Sequence, residues 1–136
     1  MPEVLLDTSI ASFLHDGRED MLAPYRSRLS GARLSVSFQT VEEMWFGAAR
    51  RAWGEGRRAR LERFLQQIAV IGADAALARA CARLRAAQQA RGGRLEQADA
   101  WIVATALHYG LPLLTHDRDQ ARLRIPELEV VSYLAG

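Results

Sequence analysis

Apolar residues along this chain recur at a strand-like spacing in some stretches and a helix-like spacing in others, and the switches between the two outline its elements. The run from Glu3 to Asp7 is short, apolar and closed by an acid; Asp7-Thr8-Ser9 then supplies N-cap chemistry for a helix over residues 10–15. Asp16-Gly17-Arg18 reads as a turn. Met21, Leu22, Tyr25 and Leu29 form a helical stripe over residues 21–29, with Pro24 early in it. From 33 to 38, Leu34, Val36 and Phe38 alternate with Ser35 and Ser37, which is the period of a strand.

The second half continues the alternation. A helix predicted over residues 40–53 ends at Gly54, another covers 56–68, and 69–72 is a short strand. Asp74 caps a long Ala/Arg/Leu helix that reaches about Arg91, where Gly92-Gly93 breaks it. The helix over 95–109 carries Trp101, Ile102 and Thr105 and stops at Gly110, with Pro112 just beyond. Residues 113–115 and 129–131 are short strands separated by a loop containing Pro126. Strands that alternate with helices imply an α/β fold with a mainly parallel sheet covered by helices. A length of 136 residues suits one domain spanning 1–136, and no repeat, linker or low-complexity segment interrupts it.

Composition narrows the chemistry. The chain has no lysine, so its 18 basic residues are all arginine. P-loop, Schiff-base, pyridoxal and phospho-receiver mechanisms, each needing an ammonium group at a fixed place, are excluded. Guanidinium stays ionised and grips phosphate through two bonds. The single cysteine, Cys81, forbids an internal disulfide and favours a reducing compartment. No signal peptide opens the chain and no apolar run approaches a membrane span, so a cytoplasmic protein is expected.

Charge is unevenly placed. Residues 1–49 carry net −3 and 95–136 net −3, whereas 50–94 hold 11 Arg against 3 acids, net +8. A basic middle between acidic ends suits a protein that draws in a polyanion with one surface and presents carboxylates from another. A solvated helix pair explains the same arginines equally well.

Four acids stand where strands end or helices begin: Asp7, Glu43, Asp99 and Asp117. Ligand sites of open parallel sheets form at the carboxyl ends of strands, so residues distant in sequence converge there. Each acid also has a purely structural explanation: Asp7 as a helix cap, Thr40 with Glu43 as a capping box, Asp99 as an acid at a helix start, Asp117 as the closure of a turn. Two observations count against these. Asp99 shares a helix face with Ile102, Val103 and Ala106, and Asp7 follows Val4-Leu5-Leu6 directly, so both are expected on buried sides where a carboxylate needs a partner. With no cluster of Cys or His, several oxygen ligands suit a hard cation such as Mg²⁺ or Mn²⁺.

Four segments, Leu6-Asp7-Thr8-Ser9, Thr40-Val41-Glu42-Glu43-Met44-Trp45-Phe46-Gly47, Asp99-Ala100-Trp101-Ile102-Val103-Ala104-Thr105-Ala106 and Leu114-Thr115-His116-Asp117-Arg118-Asp119, resemble in order and spacing the motifs of PIN-domain ribonucleases. The chain length is similar to that of the VapC-type toxins of bacterial toxin–antitoxin pairs. This resemblance covers nearly the whole chain and implies a three-layer α/β/α domain with an acidic pocket for one or two Mg²⁺ or Mn²⁺ ions. Carried over motif by motif, it makes Asp7, Glu43, Asp99 and Asp117 the catalytic metal ligands, with Thr8, Ser9 and Thr115 as supporting hydroxyls. Asp119 becomes an extra acid, Glu42 and Glu96 rank lower, and Gln120 stands where many relatives place Phe.

The resemblance further implies hydrolysis of RNA phosphodiesters, a cognate antitoxin lying in a groove formed by the early helices around Trp45, Phe46 and Trp53, and a homodimer. Arg50, Arg51, Arg57 and Arg58 are expected to hold the RNA backbone. His15, His108 and His116 are assigned structural or surface roles, with His116 beside Asp117 the one able to touch substrate, and the tryptophans are assigned to core packing. The competing reading is a non-catalytic PIN-like module that binds RNA or protein. A haloacid-dehalogenase-like phosphatase is disfavoured, because Ser9 stands where its second acid belongs and no lysine exists.

Overall fold

The computed structural model describes residues 2–134. Five strands, β1 (Glu3–Leu6), β2 (Arg33–Ser37), β3 (Ala69–Ile71), β4 (Leu113–Leu114) and β5 (Val130–Val131), form one sheet in the order β3-β2-β1-β4-β5. Every pairing is parallel, with Leu6 opposite Val36 on one side and Leu114 on the other. The chain moves outward from β1 to β3, then crosses back to β4 on the opposite side. The direction therefore reverses between β1 and β4, and the crevice at their carboxyl ends is the place where such sheets bind ligands.

Helices cover both faces. β1 is buried on each side, and its side chains alternate between two cores. Val4 and Leu6 pack with Ile10 and Ala11 of α1 (Thr8–Asp16) and with Leu22, Tyr25 and Leu29. Leu5 packs on the other face with Leu77, Cys81 and Leu84 of α6 (Ala75–Ala90) and with Ile102, Val103 and Ala106 of α7 (Gln97–Tyr109). A third, smaller cluster joins Ala48 of α4 (Phe38–Arg50) to Leu61 and Leu65 of α5 (Glu55–Gln66), with Trp45 and Trp53 against it. The tryptophans thus pack as expected; Trp101 meets the Phe38 ring edge-on at 5.1 Å.

The predicted helix over 21–29 is interrupted. α2 (Glu19–Leu22) gives way to a 3-10 turn at Ala23–Tyr25 before α3 (Arg26–Leu29). Pro24 lacks the N–H that a continuous helix needs, so the tighter turn takes its place. A second difference concerns the strand over 33–38. Phe38 begins α4, because the Ser37 hydroxyl accepts from the Gln39 amide at 3.1 Å and caps the helix. Helix α4 therefore starts two residues before Thr40, and Thr40 and Glu43 lie inside it; they form no capping box. Ser35 and Ser37 are also fully buried, so β2 is covered on both faces where alternation suggested one polar side. Among the described residues no helix is long and apolar enough to cross a membrane.

Candidate active site

The end of β1 delivers Asp7 to the crevice. It occupies the N-cap position of α1, yet its side chain caps nothing; its carboxylate turns toward β4. Asp7 Oδ2 accepts hydrogen bonds from the Thr115 hydroxyl at 2.7 Å and the Ser9 hydroxyl at 3.1 Å. Each hydroxyl is itself placed by a backbone donor, since Asp117 N–H donates to Thr115 Oγ1 at 3.0 Å and His116 N–H donates to Ser9 Oγ at 2.9 Å. Thr115 thereby ties the buried acid of β1 to the loop after β4. With Asp7 only 4% exposed, burial pushes its carboxyl above the usual carboxylate range, partly offset by these donors and reinforced by the charge of Asp117.

Glu43 arrives from α4 and Asp99 from the first turn of α7, both half-buried. Thr8 Oγ1 donates to Glu43 Oε2 at 2.9 Å, and Thr40 lies 2.9 Å from the same Thr8 hydroxyl. A hydroxyl has one proton, so Thr40 is the donor to Thr8. Burial is the largest cause raising the carboxyls of Glu43 and Asp99; Asp7 and Asp99 repel Glu43, and Asp117, Asp119 and Glu96 repel Asp99. The repulsions run Asp7–Asp117–Asp99–Glu43–Asp7, so the four acids share one electrostatic site.

Two residues that the sequence reading did not assign complete it. Gln120, 1% exposed, donates from Nε2 to Asp99 Oδ1 at 3.0 Å, while its backbone N–H donates to Asp117 Oδ1 at 3.0 Å. A polar residue at an otherwise apolar position of the motif was the available signal. Thr40 is fully buried, and its only sequence cue, the capping-box spacing to Glu43, pointed elsewhere. Asp117 is exposed and does cap α8 (Arg118–Ala121).

The remaining acids stand at the rim. Asp119 is exposed, Glu42 accepts from Gln39 Nε2 at 3.3 Å, and Glu96 pairs with Arg94 at 3.4 Å. Arg50 and Arg51 are exposed at the end of α4 and line a cavity that also reaches Glu43. Arg57 lies 5.8 Å above the Trp53 ring, and Arg58 is exposed on α5. His116 is held by Tyr25 at 2.7 Å, and His108 packs edge-on against Tyr109 at 4.9 Å.

No arginine or histidine forms an ion pair with any of the four acids among the described residues. In each carboxylate one oxygen is fixed by a hydroxyl, amide or side-chain donor, and among the described residues the other accepts no side-chain hydrogen bond, although the Thr8 backbone also donates to the Asp7 carboxylate. Four hard oxygen donors without a counter-cation suit a divalent cation. The acids stand apart, however: among the described residues no three Asp, Glu, His or Cys side chains are close enough together to enclose an ion.

The model of the PIN domain family matches residues 4–126. Ribonuclease VapC4 of Mycobacterium tuberculosis is 31% identical over 130 residues, 94% of this chain and 95% of that protein. The crystal structure of VapBC-5 from the same species, a member of the VapBC family of toxin–antitoxin systems, is 26% identical with a TM-score of 0.71, covering 98% of this chain and 100% of that one. DNA-bound VapBC from Salmonella typhimurium shares the fold with a TM-score of 0.81 at 22% identity, over 97% and 98% of the two chains.

Proposed function

The chain belongs to the PIN-domain family, and from that premise we propose that it is a single-domain, Mg²⁺- or Mn²⁺-dependent endoribonuclease, the toxin of a cytoplasmic toxin–antitoxin pair. The carrying observation is the set of four mutually repelling carboxylates at the switch point of the sheet, none with an ion-pair partner among the described residues. Repulsion among fixed acids costs stability, and a site that keeps them has a use for the charge. The names of the relatives support ribonuclease activity and an antitoxin partner; a homodimer is the expected form.

Asp7, Glu43, Asp99 and Asp117 would hold the metal through their free oxygens. When bound, a divalent cation lowers the pKa of the attacking water and offsets charge on the phosphodiester oxygens. The chain's own contribution is orientation. Thr115 and Ser9 fix Asp7, Thr8 fixes Glu43, Gln120 fixes Asp99, and the Gln120 amide fixes Asp117, so each acid is held in orientation and the remaining approach of the four is left to the cation. Arg50, Arg51, Arg57 and Arg58 supply salt-sensitive attraction for RNA phosphates. Asp119 lies close enough to Asp99 to add to the field of the site.

Asp7→Asn and Asp99→Asn should each reduce Mg²⁺- or Mn²⁺-dependent cleavage of a total-RNA substrate by at least about a hundredfold. Equal cleavage by parent and variants would overturn the assignment. RNA binding that persists in chelator, without cleavage when metal is restored to the parent, would instead favour the non-catalytic module.

A further inference from the structure

Beside the acids, between α1, α4 and α5, lies a cavity of about 240 Å³. At a liquid share of roughly 30 Å³ per water, it has room for about eight waters, enough for one planar ring system. Its inner end is formed by Thr8 and Glu43, which are joined by the 2.9 Å hydrogen bond of the acid site, so cavity and site are continuous. Phe46, 59% exposed, stands at its edge, an aromatic surface without cover.

Away from the acid site the lining carries both signs, with Asp16 as well as two arginines. The arginines are Arg50 and Arg51, and neither has a carboxylate within ion-pair distance among the described residues. The Arg51 guanidinium lies against Gly47, where a Cβ would stand 3.2 Å from Nη1. Between the two ends the wall is aromatic and polar. His15 stacks on Trp53 with centroids 5.9 Å apart and planes 17° from parallel. The His15 side chain is 4% exposed, its Nδ1 is engaged by Asp16 at 3.0 Å, and its Nε2 is buried without a partner. A buried polar atom left unpaired is costly unless something completes it.

We propose that this cavity is a nucleotide subsite: it takes the base of the RNA residue adjoining the scissile phosphate against Phe46 and the His15–Trp53 stack, with that residue's phosphate on Arg50 and Arg51. The inference rests on the nuclease reading for the identity of the occupant as substrate; apart from Glu43 at its inner end, the lining consists of side chains outside the four acids. Aromatic faces accept any base by stacking, guanidinium groups supply the phosphate contact, and hydrogen-bonding edges along the wall discriminate among bases. The cavity shares Phe46 and Trp53 with the groove expected to take the antitoxin, and its unpaired guanidinium groups are what argue for a phosphate-bearing occupant when the antitoxin is absent.

The test separates binding from cleavage. Parent protein in EDTA is titrated with each ribonucleoside 5′-monophosphate while the Trp53 indole N–H resonance is followed, with Trp101 as internal control. At least one nucleotide should shift Trp53 saturably, and Phe46→Ala and Arg51→Ala, both at exposed positions, should weaken that binding at least fivefold. Trp53 silent to all four nucleotides, the result expected if a protein partner alone fills the cavity, overturns the subsite; so does binding unchanged in both variants. A random-sequence RNA pool cut in Mg²⁺ then reads the base preference beside the cut, which Phe46→Ala should flatten while cleavage continues. A preference equally sharp in Phe46→Ala counts against the subsite, whereas nucleotide binding by a parent that never cleaves sinks the nuclease reading and leaves the subsite standing.

Discussion

The acid centre and the arginine arm are built on opposite principles. Asp7 is buried at the end of the central strand, and its Oδ2 is fixed by two hydroxyls that are themselves fixed by backbone amides. Arg50, Arg51, Arg57 and Arg58 are exposed, and among the described residues none of them has an ion-pair partner; Arg57 rests on the Trp53 ring instead. On the proposed function, groups that would meet reacting atoms are locked by second partners, and groups that would follow a flexible polyanion are left unpaired. The acid centre keeps its charge at a cost to stability, while the arm gives up pre-organisation for adaptability.

That contrast breaks most sharply at Thr115. Thr115→Val keeps the shape but removes the donor to Asp7 and the acceptor for the Asp117 amide. Chemical denaturation should show a loss of about 1–3 kcal/mol, and RNA cleavage should fall at least tenfold; an unchanged rate would mean that the acids need no such lock. Gln120→Leu should separate the two costs. It removes a buried amide whose Oε1 has no partner and also frees Asp99, so melting temperature should hold or rise while cleavage falls severalfold. Stability and activity falling together would show Gln120 to be a packing residue alone. The smallest effect belongs to the arm. The pair Arg57→Ala and Arg58→Ala should leave stability within about 0.5 kcal/mol and weaken RNA binding a few-fold at low salt, with the difference vanishing at high salt. A salt-independent loss would place these residues in a specific contact.

Much of the site was legible from local patterning because its acids stand at element boundaries. Asp7 after an apolar strand and Asp99 on the buried stripe of a helix both carry the mismatch of a charge where the period calls for an apolar group. Glu43 was harder, since its spacing from Thr40 imitates a capping box; only the position of Ser37 at the true helix start removes that explanation. The break at Pro24 was visible as a residue but not as a consequence, because a proline early in a helix is compatible with one and only the structure shows the 3-10 turn around it.

The order of strands and helices, the absence of lysine chemistry and the candidacy of the four acids follow from the sequence itself, because periodicity, composition and boundary chemistry act over a few neighbouring residues. The partners of those acids do not. Thr115 is 108 residues from Asp7, Gln120 is 21 from Asp99, and Thr8 is 35 from Glu43. Which donor meets which carboxylate depends on the reversal of strand order between β1 and β4 and on the packing of α4 and α7 around it. The cavity beside Glu43 is likewise made by three helices at once, and no single segment encodes a space between segments.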